Sequence, residues 1–415
     1  MKRNYGILIS ALTLVILAAA LTGCGGGGST ARSNTISTRE EAQQPGAWTI
    51  LVYLDADNDL EAAGIHNFNQ MEVVGSTKDV RVIVQMDRSA GHNISNGNWT
   101  DARRYLITRD SDSSTMHSVR LDDQPLGEVD MGSWNTLKNF VEWGVREFPA
   151  NHYCLVVWDH GSGWQIRSMD LMPEYKYIAV DDSSNNGMNI TDIPSALAGV
   201  NIDVVAFDAC YMQQLEVAYE LRNSAQYMAG SPGTEPSPGY NYARWLQRLN
   251  GSMTPYQLSR AIVDAYAAEY PSSYNDITQS VVDLSRIDEV AGAASAFAQV
   301  LINNRVAHSN DLKTARDNSF NYSTAISGPN RWFMDLWDYA NRSTNLIDPA
   351  ANAAFASLND ALNNAIVAEM HNSNMPYSHG LAIYMPPPGS YDARYGQLDL
   401  AADTLWDDWI KSQLD

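Results

Sequence analysis

Cysteine is scarce in this sequence: only Cys24, Cys154 and Cys210 occur among 415 residues. Small secreted domains that are held together by disulfides contain many more cysteines, so that class of scaffold is excluded. Hydrophobic residues make up 45% of the chain, which is enough to build a large core. The fold must therefore depend on apolar burial, and each cysteine needs its own interpretation.

Positive charge is also scarce, because 27 Lys and Arg residues stand against 48 Asp and Glu residues and give a net charge of −21. An acidic surface repels the phosphate groups of nucleic acids. We therefore expect no nucleic-acid partner, and we interpret the acidity as a means of keeping the protein soluble.

Recognisable metal motifs are missing as well. The eight histidines contain no His-Glu-x-x-His spacing, so no zinc site is predicted. Asp55, Asp57 and Asp59 alternate as in a calcium-binding loop, but Leu60 stands where such a loop needs glycine and no glutamate follows at its twelfth position. We predict no metal site and no required cofactor; a structural calcium ion remains an open alternative.

The N-terminus has the pattern of an export signal. Lys2 and Arg3 precede an apolar run over residues 7–21, and the run ends in Leu-Thr-Gly-Cys at residues 21–24. This ending is similar to a bacterial lipobox, which predicts a signal peptide over residues 1–23 and a lipid on Cys24. Residues 24–47 are poor in apolar side chains and predict a flexible tether. We expect an exported protein, lipid-anchored to the cell envelope at the outer membrane or cell surface; an ordinary signal peptide is the alternative.

Strand and helix patterns alternate after the tether. Apolar strands are predicted over residues 48–54, 80–86, 104–108, 153–158, 203–207 and 226–229, with amphipathic helices between them. This order predicts an α/β fold with a mostly parallel sheet and helices on both faces. We assign residues 48–285 to a catalytic domain. Residues 286–415 are predicted to be mainly helical, with one strand at 380–385, and to pack on the same domain.

Two reactive side chains follow predicted strands of this sheet. His160 follows the strand that ends at Trp158, and Cys210 follows the strand that ends at Phe207. Taken singly, either residue is more often structural, but parallel strands present such residues at one edge. A thiol between a strand and a helix is expected to be a good nucleophile, and a histidine beside it can protonate a leaving amine. With the backbone N–H groups of Gly161 and Cys210 facing an oxyanion, this arrangement is suited to acyl transfer.

The third cysteine is interpreted differently. Cys154 lies near the start of its predicted strand, whereas Cys210 follows the end of the neighbouring strand. The two residues are therefore too far apart along the strand direction for a disulfide. We predict that Cys154 is an inert thiol of the core.

Several segments resemble the clostripain-like cysteine peptidases, which share a caspase-like fold with gingipains and legumains. The resemblance depends on WDHGSGW at residues 158–164 and FDACYM at residues 207–212, with further similarity at 48–61, 380–386 and 403–409. It covers nearly all of residues 48–413. It implies an endopeptidase with a His160–Cys210 dyad and an oxyanion hole formed by the backbones of Gly161 and Cys210. We expect a peptide or protein substrate and a monomer.

The resemblance also implies cleavage after Arg or Lys, but one position departs from the family pattern. Pro238 stands where the family has an acidic residue that contacts the basic P1 side chain. A buried guanidinium without a carboxylate partner is costly, so we expect a small or apolar P1 residue. Our candidate pocket residues are Trp164, Asp182, Ser231, Glu235 and Pro238, with Glu235 or Asp182 as substitute acids if the loop folds inward.

Two other functions remain open from the sequence. One is a lipid-anchored binding or adhesion module that retains the fold without turnover. The other is a thiol-dependent transpeptidase, which passes the acyl group to an amine. Residues 165–178, which include Arg167, form a long connection after His160 that we consider a candidate segment for self-cleavage.

Overall fold

A nine-stranded, mostly parallel sheet lies at the centre of the structure. The computed structural model describes residues 34–165, 177–270, 274, 276–323, 331–345, 347 and 349–413. Residues from Thr35 onward belong to one unit. The strands in chain order are β1 (Gly46–Ala56), β2 (Val80–Arg88), β3 (Arg103–Leu106), β4 (Val119–Arg120), β5 (Ala150–Trp158), β6 (Ile178–Asp181), β7 (Asn186–Met188), β8 (Ile202–Asp208), β9 (Ala225–Gly230), β10 (Thr278–Asp283), β11 (Phe333–Asp335), β12 (Ile366–His371) and β13 (Ala382–Tyr384).

The strand order in the main sheet is β12-β10-β9-β8-β5-β1-β2-β3-β4. Strands β1, β2, β5, β8 and β9 pair in parallel, whereas β10, β12, β3 and β4 pair in antiparallel fashion at the two sides. The carboxyl ends of β1, β5 and β8 therefore lie next to one another at one edge. The predicted α/β class with a mostly parallel sheet is confirmed.

Alternation along the central strands sends side chains into two separate cores. In β1, Ile50 and Val52 belong to one apolar cluster, and Leu51 and Tyr53 belong to the other. All four side chains are fully buried. Continuous apolar strands of this kind need cover on both faces, and helices supply it.

Helices cover both faces. Helices α2 (Glu61–Val74), α6 (Tyr242–Leu246) and α7 (Pro255–Glu269) contribute to the cluster that contains Ile50. The cluster that contains Leu51 includes side chains of the remaining helices: α1 (Arg39–Ala42), α3 (Trp134–Glu147), α4 (Ile193–Leu197), α5 (Leu215–Leu221), α8 (Ile287–Asn304), α9 (Ser309–Asn318), α10 (Leu336–Thr344), α11 (Pro349–Ala365), α12 (Asp399–Asp403) and α13 (Trp406–Ser412).

The tether prediction is wrong for residues 34–47. Thr35 forms a bridge with Thr77, Ile36 is only 1% exposed, and Thr38 begins α1 with a capping box closed by Glu41. The low apolar content of the segment gave no sign that it docks on the core. One buried isoleucine and one helix cap are nevertheless enough to hold a short stretch on an existing core.

The described residues of the C-terminal portion form three strands, whereas the sequence predicts one. Strand β12 pairs with β10 at the edge of the main sheet, and the predicted strand at residues 380–385 is β13, which pairs with β11 in a separate two-stranded sheet. Strand β12 was missed because it follows the Ala-rich helix α11 directly, without a turn residue that would mark the change.

Cys24, the predicted signal peptide and residues 166–176 of the candidate self-cleavage segment lie outside the described residues. Among the residues that are described, no helix has both the length and the apolar character needed to cross a bilayer.

We expect Ile36→Ala to lower the free energy of unfolding by about 2–4 kcal/mol, because it would open a cavity in the core. Ile94→Ala is the matched control, since Ile94 is 81% exposed and should be close to neutral. Chemical denaturation of both variants measures the difference. Equal stability of the two variants would mean that residues 34–47 do not dock in solution.

Candidate active site

The pairing of β5 with β8 brings the two predicted catalytic residues together. Trp158 pairs with Asp208 in the parallel ladder, so His160 and Cys210 each lie two residues beyond a matched pair. The N–H of Asp159 donates to the carbonyl of Asp208 at 3.3 Å and extends the contact past the strand ends. His160 and Cys210 line the same pocket, which has a volume of about 150 Å³.

Cys210 is presented by a sharp turn and not by a helix. Tyr211 has a left-handed backbone, with φ of 64°, and α5 begins only at Leu215. Our expectation that the thiol lies at a helix N-terminus is therefore wrong, since residues 211–214 turn the chain before the helix starts. The sulfur instead accepts a hydrogen bond from the N–H of Glu235, with an N···S distance of 3.2 Å. The carbonyl oxygen of the same residue lies 3.8 Å from the sulfur, where it can accept a hydrogen bond from the thiol.

Gly161 is required by its contact with Cys210. A Cβ atom at position 161 would lie 2.2 Å from the carbonyl oxygen of Cys210 and 3.0 Å from its nitrogen. Only glycine permits the backbone after His160 to lie directly against the backbone that carries the thiol. The two N–H groups that we assigned to an oxyanion hole therefore belong to adjacent backbone segments, and their role stays a prediction.

Asp59 contacts His160, which the sequence analysis did not anticipate. Its Oδ1 lies 2.7 Å from Nε2 of the imidazole. The contact helps to orient the imidazole ring. In the sequence, its alternation with Asp55 and Asp57 is the only signal that marks Asp59.

Asp159 ties His160 to the neighbouring segments. Its Oδ1 accepts a hydrogen bond from Nδ2 of Asn58 at 2.8 Å, and its Oδ2 accepts one from the N–H of Val180. Asn58 also donates to the carbonyl of Val180 at 2.9 Å. The turn after β1, the end of β5 and strand β6 are thus joined immediately beside the histidine.

A buried pair of carboxyl groups forms one wall of the pocket. Oδ1 of Asp208 accepts from the N–H of Tyr240 and Oδ2 accepts from the hydroxyl of Tyr242, while Oε1 of Glu235 accepts from Gln279. Burial raises the pKa of Asp208 to about 7. Burial and the adjacent Asp208 carboxylate raise the pKa of Glu235 well above its ordinary value.

These shifts indicate that the two carboxyls share a proton. Oε2 of Glu235 is buried and has no other hydrogen-bond partner among the described residues. A proton on that oxygen would satisfy it and would bridge to Asp208. The carboxyl group of Glu235 is buried although its backbone reaches the pocket surface.

Only two of the five candidate pocket residues, Glu235 and Pro238, line the pocket. Trp164 is fully buried, with its ring 4.7 Å from that of Tyr384, so it supports the site from beneath. Ser231 is also fully buried, and its hydroxyl accepts from the N–H of Gly233. Asp182 is exposed in the turn after β6, where its N–H donates to the carbonyl of Asp57. The structure therefore does not bring these three residues to the surface of this pocket.

Cys154 behaves as predicted. It is fully buried in β5 and forms no disulfide with Cys210. Burial raises the pKa of its thiol, which keeps it unreactive.

The family profile of the clostripain family matches residues 52–412, which include every residue described above around the pocket. The chain belongs to the clostripain family. Clostripain from Hathewaya histolytica is 26% identical over 221 residues, which are 48% of this chain and 42% of the relative. The matched region thus spans less than half the length of that curated relative.

Solved structures show the same fold as this clostripain-family chain. A secreted C11 cysteine protease from Bacteroides thetaiotaomicron, in complex with an irreversible peptide inhibitor, is 22% identical with a TM-score of 0.66, and the match covers 88% of this chain and 100% of that one. An inactive zymogen C11 protease from Parabacteroides distasonis is also 22% identical, with a TM-score of 0.65 and coverage of 86% and 98%.

The proton shared by Asp208 and Glu235 should make the stability of this clostripain-family chain depend on pH. In the unfolded chain both carboxyls ionise near pH 4, whereas the folded chain keeps its protons to higher pH. The folded state therefore binds more protons between about pH 4 and 7. Its stability falls as pH rises through that window, by about 1.4 kcal/mol per pH unit for each retained proton.

We expect the melting temperature of the Glu235→Gln variant to fall less steeply between pH 4 and 8 than that of the parent protein, because one buried carboxyl no longer ionises. The control is Glu142→Gln, whose side chain is 47% exposed on α3 and should keep the parent slope. Thermal unfolding at a series of pH values measures both. Parallel profiles for Glu235→Gln and the parent would contradict the shared proton.

Proposed function

We propose that this chain is a cysteine endopeptidase. The sulfur of Cys210 attacks the carbonyl carbon of the scissile peptide bond, and the negative charge that develops on the oxygen is held by the N–H groups of Gly161 and Cys210. His160 protonates the leaving amine as the C–N bond breaks, which leaves a thioester on Cys210. Water then attacks the thioester carbonyl and gives a proton to the now neutral His160, and cleavage of the C–S bond releases the carboxylic acid and the Cys210 thiolate.

The observation that carries this proposal is the shared pocket. His160 and Cys210 are placed by matched positions on adjacent parallel strands, and both side chains open into one concave site. The N–H of Glu235 donates to the sulfur of Cys210, and Asp59 contacts the imidazole of His160. A nucleophile, an acid and adjacent backbone donors are the parts that acyl transfer needs.

Replacement of either dyad member should abolish turnover. We expect Cys210→Ala and His160→Ala to reduce the hydrolysis of an unstructured peptide by about a thousandfold or more. Cys154→Ala is the control, because that thiol is sealed in the core. Mass spectrometry of the products, with and without an added amine, distinguishes hydrolysis from ligation. Full activity in Cys210→Ala would refute the mechanism, and a binding module without turnover predicts no cleavage by the parent.

We also propose that the P1 residue is uncharged and small or apolar. Apart from the carboxyl pair, the pocket is lined largely by apolar groups, including Leu60, Ala63, Trp158 and Pro238. The oxygens of the two acids already have hydrogen-bond partners. Three of the four oxygens of Asp208 and Glu235 accept hydrogen bonds, from Tyr240, Tyr242 and Gln279. We assign the fourth oxygen to the shared proton. A cationic P1 side chain would have to displace that proton.

A peptide library with varied P1 residues tests this specificity. We expect cleavage after small or apolar residues at least about tenfold faster than after Arg or Lys, since an unpaired buried cation is disfavoured. Glu235→Gln should preserve the preference. Exclusive cleavage after basic residues, lost in Glu235→Gln, would show instead that Glu235 serves as the acid of a basic-residue pocket.

We further propose that the chain is exported and anchored through a lipid on Cys24. The support is the Leu-Thr-Gly-Cys ending of the apolar run at residues 21–24. A structurally similar protein is described as secreted. Thr35, which forms a bridge with Thr77, follows Cys24 by about ten residues in the sequence.

A further inference from the structure

A second pocket lies beside β12, the strand at one side of the main sheet. It is formed by residue 337 of α10, by residues within 362–371 of α11 and β12, and by residues within 376–381; we call it the β12 pocket. Its volume is about 340 Å³, against about 150 Å³ for the pocket at Cys210, and no residue lines both. The β12 pocket is therefore a separate cavity, and its size is sufficient for a small ligand.

One wall of the β12 pocket is aromatic and held in place. The ring of His379 stacks on the indole of Trp337, with the ring centroids 4.2 Å apart. The indole nitrogen donates to the side chain of Asn359 at 2.8 Å, and the ring of Phe355 packs edge-on against the indole. Leu362, which is almost fully buried, adds an aliphatic surface. Because this apolar wall is already ordered, a ligand that packs on it pays little entropy for ordering side chains.

Gly380 brings the loop that carries His379 against β12. Its backbone is left-handed, with φ of 88°, and a Cβ atom there would lie 2.8 Å from Cγ of Glu369 and 3.0 Å from Cβ of Ser280. The carbonyl of Gly380 accepts the hydroxyl of Ser280. Only glycine permits both the conformation and the close contact. The contact places a carboxylate and an imidazole from separate segments in one pocket.

The charged groups behind the aromatic wall balance one another. Nδ1 of His379 lies 3.0 Å from Oδ1 of Asp335, a fully buried carboxylate whose other oxygen accepts the hydroxyl of Tyr322 at 2.7 Å. Burial lowers the pKa of His379, but the hydrogen bond and the charge of Asp335 raise it by more. Nε of Arg342 likewise donates to Asp338 at 2.8 Å. Each of these acids thus has a cationic partner.

Glu369 differs from these acids. Its Oε1 lies 2.7 Å from Nδ1 of His371, whereas its Oε2 accepts no hydrogen bond from the described residues. Its ion-pair contact within the described part of the chain is with that imidazole and not with a Lys or Arg. Its side chain is only 24% exposed, and burial raises the pKa of the carboxyl. A carboxylate held partly out of water is stabilised when a cation donates to its remaining oxygen.

We propose that the β12 pocket binds a primary amine with a compact apolar body. The ammonium group donates to Oε2 of Glu369, and the apolar body packs on Trp337 and Leu362. An ammonium group carries three donors and no acceptor, which suits a carboxylate oxygen that lacks a donor. The net charge of −21 also favours a cation over an anion. Small organic amines carry this chemistry, and so does the amino terminus of a peptide whose first residue is apolar.

Calorimetric titration of the full chain with 2-phenylethylamine tests the site. A Cys210→Ala background prevents hydrolysis and leaves the β12 pocket unaltered, because Cys210 does not line it. We expect saturable binding of one amine per chain at millimolar concentration. 2-Phenylethanol, which has the same ring without the charge, should bind at least about tenfold more weakly, and 3-phenylpropanoate should not bind.

Glu369→Gln removes the charge and keeps the shape of the side chain. We expect this variant to bind 2-phenylethylamine at least about tenfold more weakly than the background protein, and its melting temperature reports separately whether it folds. His371→Gln removes the imidazole at Oε1 and should bind the amine at least as tightly. Glu235→Gln makes the same exchange in the pocket at Cys210 and is the matched control, which should keep the affinity of the background protein.

Two tripeptides separate the sources of the amine. Phe-Gly-Gly has a free amino terminus, and its acetylated form does not. Binding of the free peptide without binding of the acetylated one would assign the pocket to peptide amino termini. Binding of 2-phenylethylamine without either peptide would assign it to small organic amines. Either result supports the site.

Four results would overturn the proposal. Equal affinity for 2-phenylethanol and the amine would mean that the pocket does not recognise charge. A preference for 3-phenylpropanoate that is lost in His371→Gln would mean that the histidines select an anion. Amine binding that is unchanged in Glu369→Gln would place the ligand elsewhere, and no binding by the background protein would refute the site. None of these readouts depends on peptide hydrolysis, so the outcome is independent of the proposed catalytic activity.

Discussion

The contact between β5 and β8 is the constraint on which the site depends. Trp158 pairs with Asp208 in a parallel ladder. His160 and Cys210 each lie two residues beyond this pair, so the ladder brings them to the same edge of the sheet. A shift of the register would separate the imidazole from the thiol along the strand direction. Because Gly161 has no side chain, the backbone after β5 stays in contact with the backbone of Cys210 beyond the end of the ladder. The left-handed backbone of Tyr211 then turns the chain away from the sheet edge directly after Cys210.

The C-terminal portion supports this edge from below and does not form a separate layer. The carbonyl of Gln213, three residues after Cys210, accepts the N–H of Ala382 at 3.1 Å. The buried carboxyl of Glu216 accepts from the N–H of Tyr384 and the hydroxyl of Tyr395. The rings of both tyrosines also enclose Trp164, four residues after His160. The segments that follow the two dyad residues are therefore packed against the same C-terminal strand and its neighbours.

An acidic chain that concentrates carboxyls at one sheet edge must compensate their charge. Near the thiol, Asp208 and Glu235 are close enough to share a proton, and tyrosine and amide donors satisfy their remaining oxygens. Farther along the edge, neither carboxylate oxygen of Asp57 has a hydrogen-bond partner among the described residues. The two places therefore differ in how many hydrogen-bond donors surround the buried acids.

Local pattern was enough to identify the α/β class and most central strands, because apolar periodicity is a property of contiguous sequence. It also predicted that His160 and Cys210 would meet at one sheet edge, and both line the same pocket. The docking of residues 34–47, the edge strand β12 and the burial of Trp164 depended on distant partners, and local pattern missed them. The contact of Asp59 with His160 and the convergence of Trp337, Glu369 and His379 in the β12 pocket were likewise decided only in three dimensions. Each of these features joins side chains that are far apart in the chain, and no spacing rule within one segment encodes such a distance.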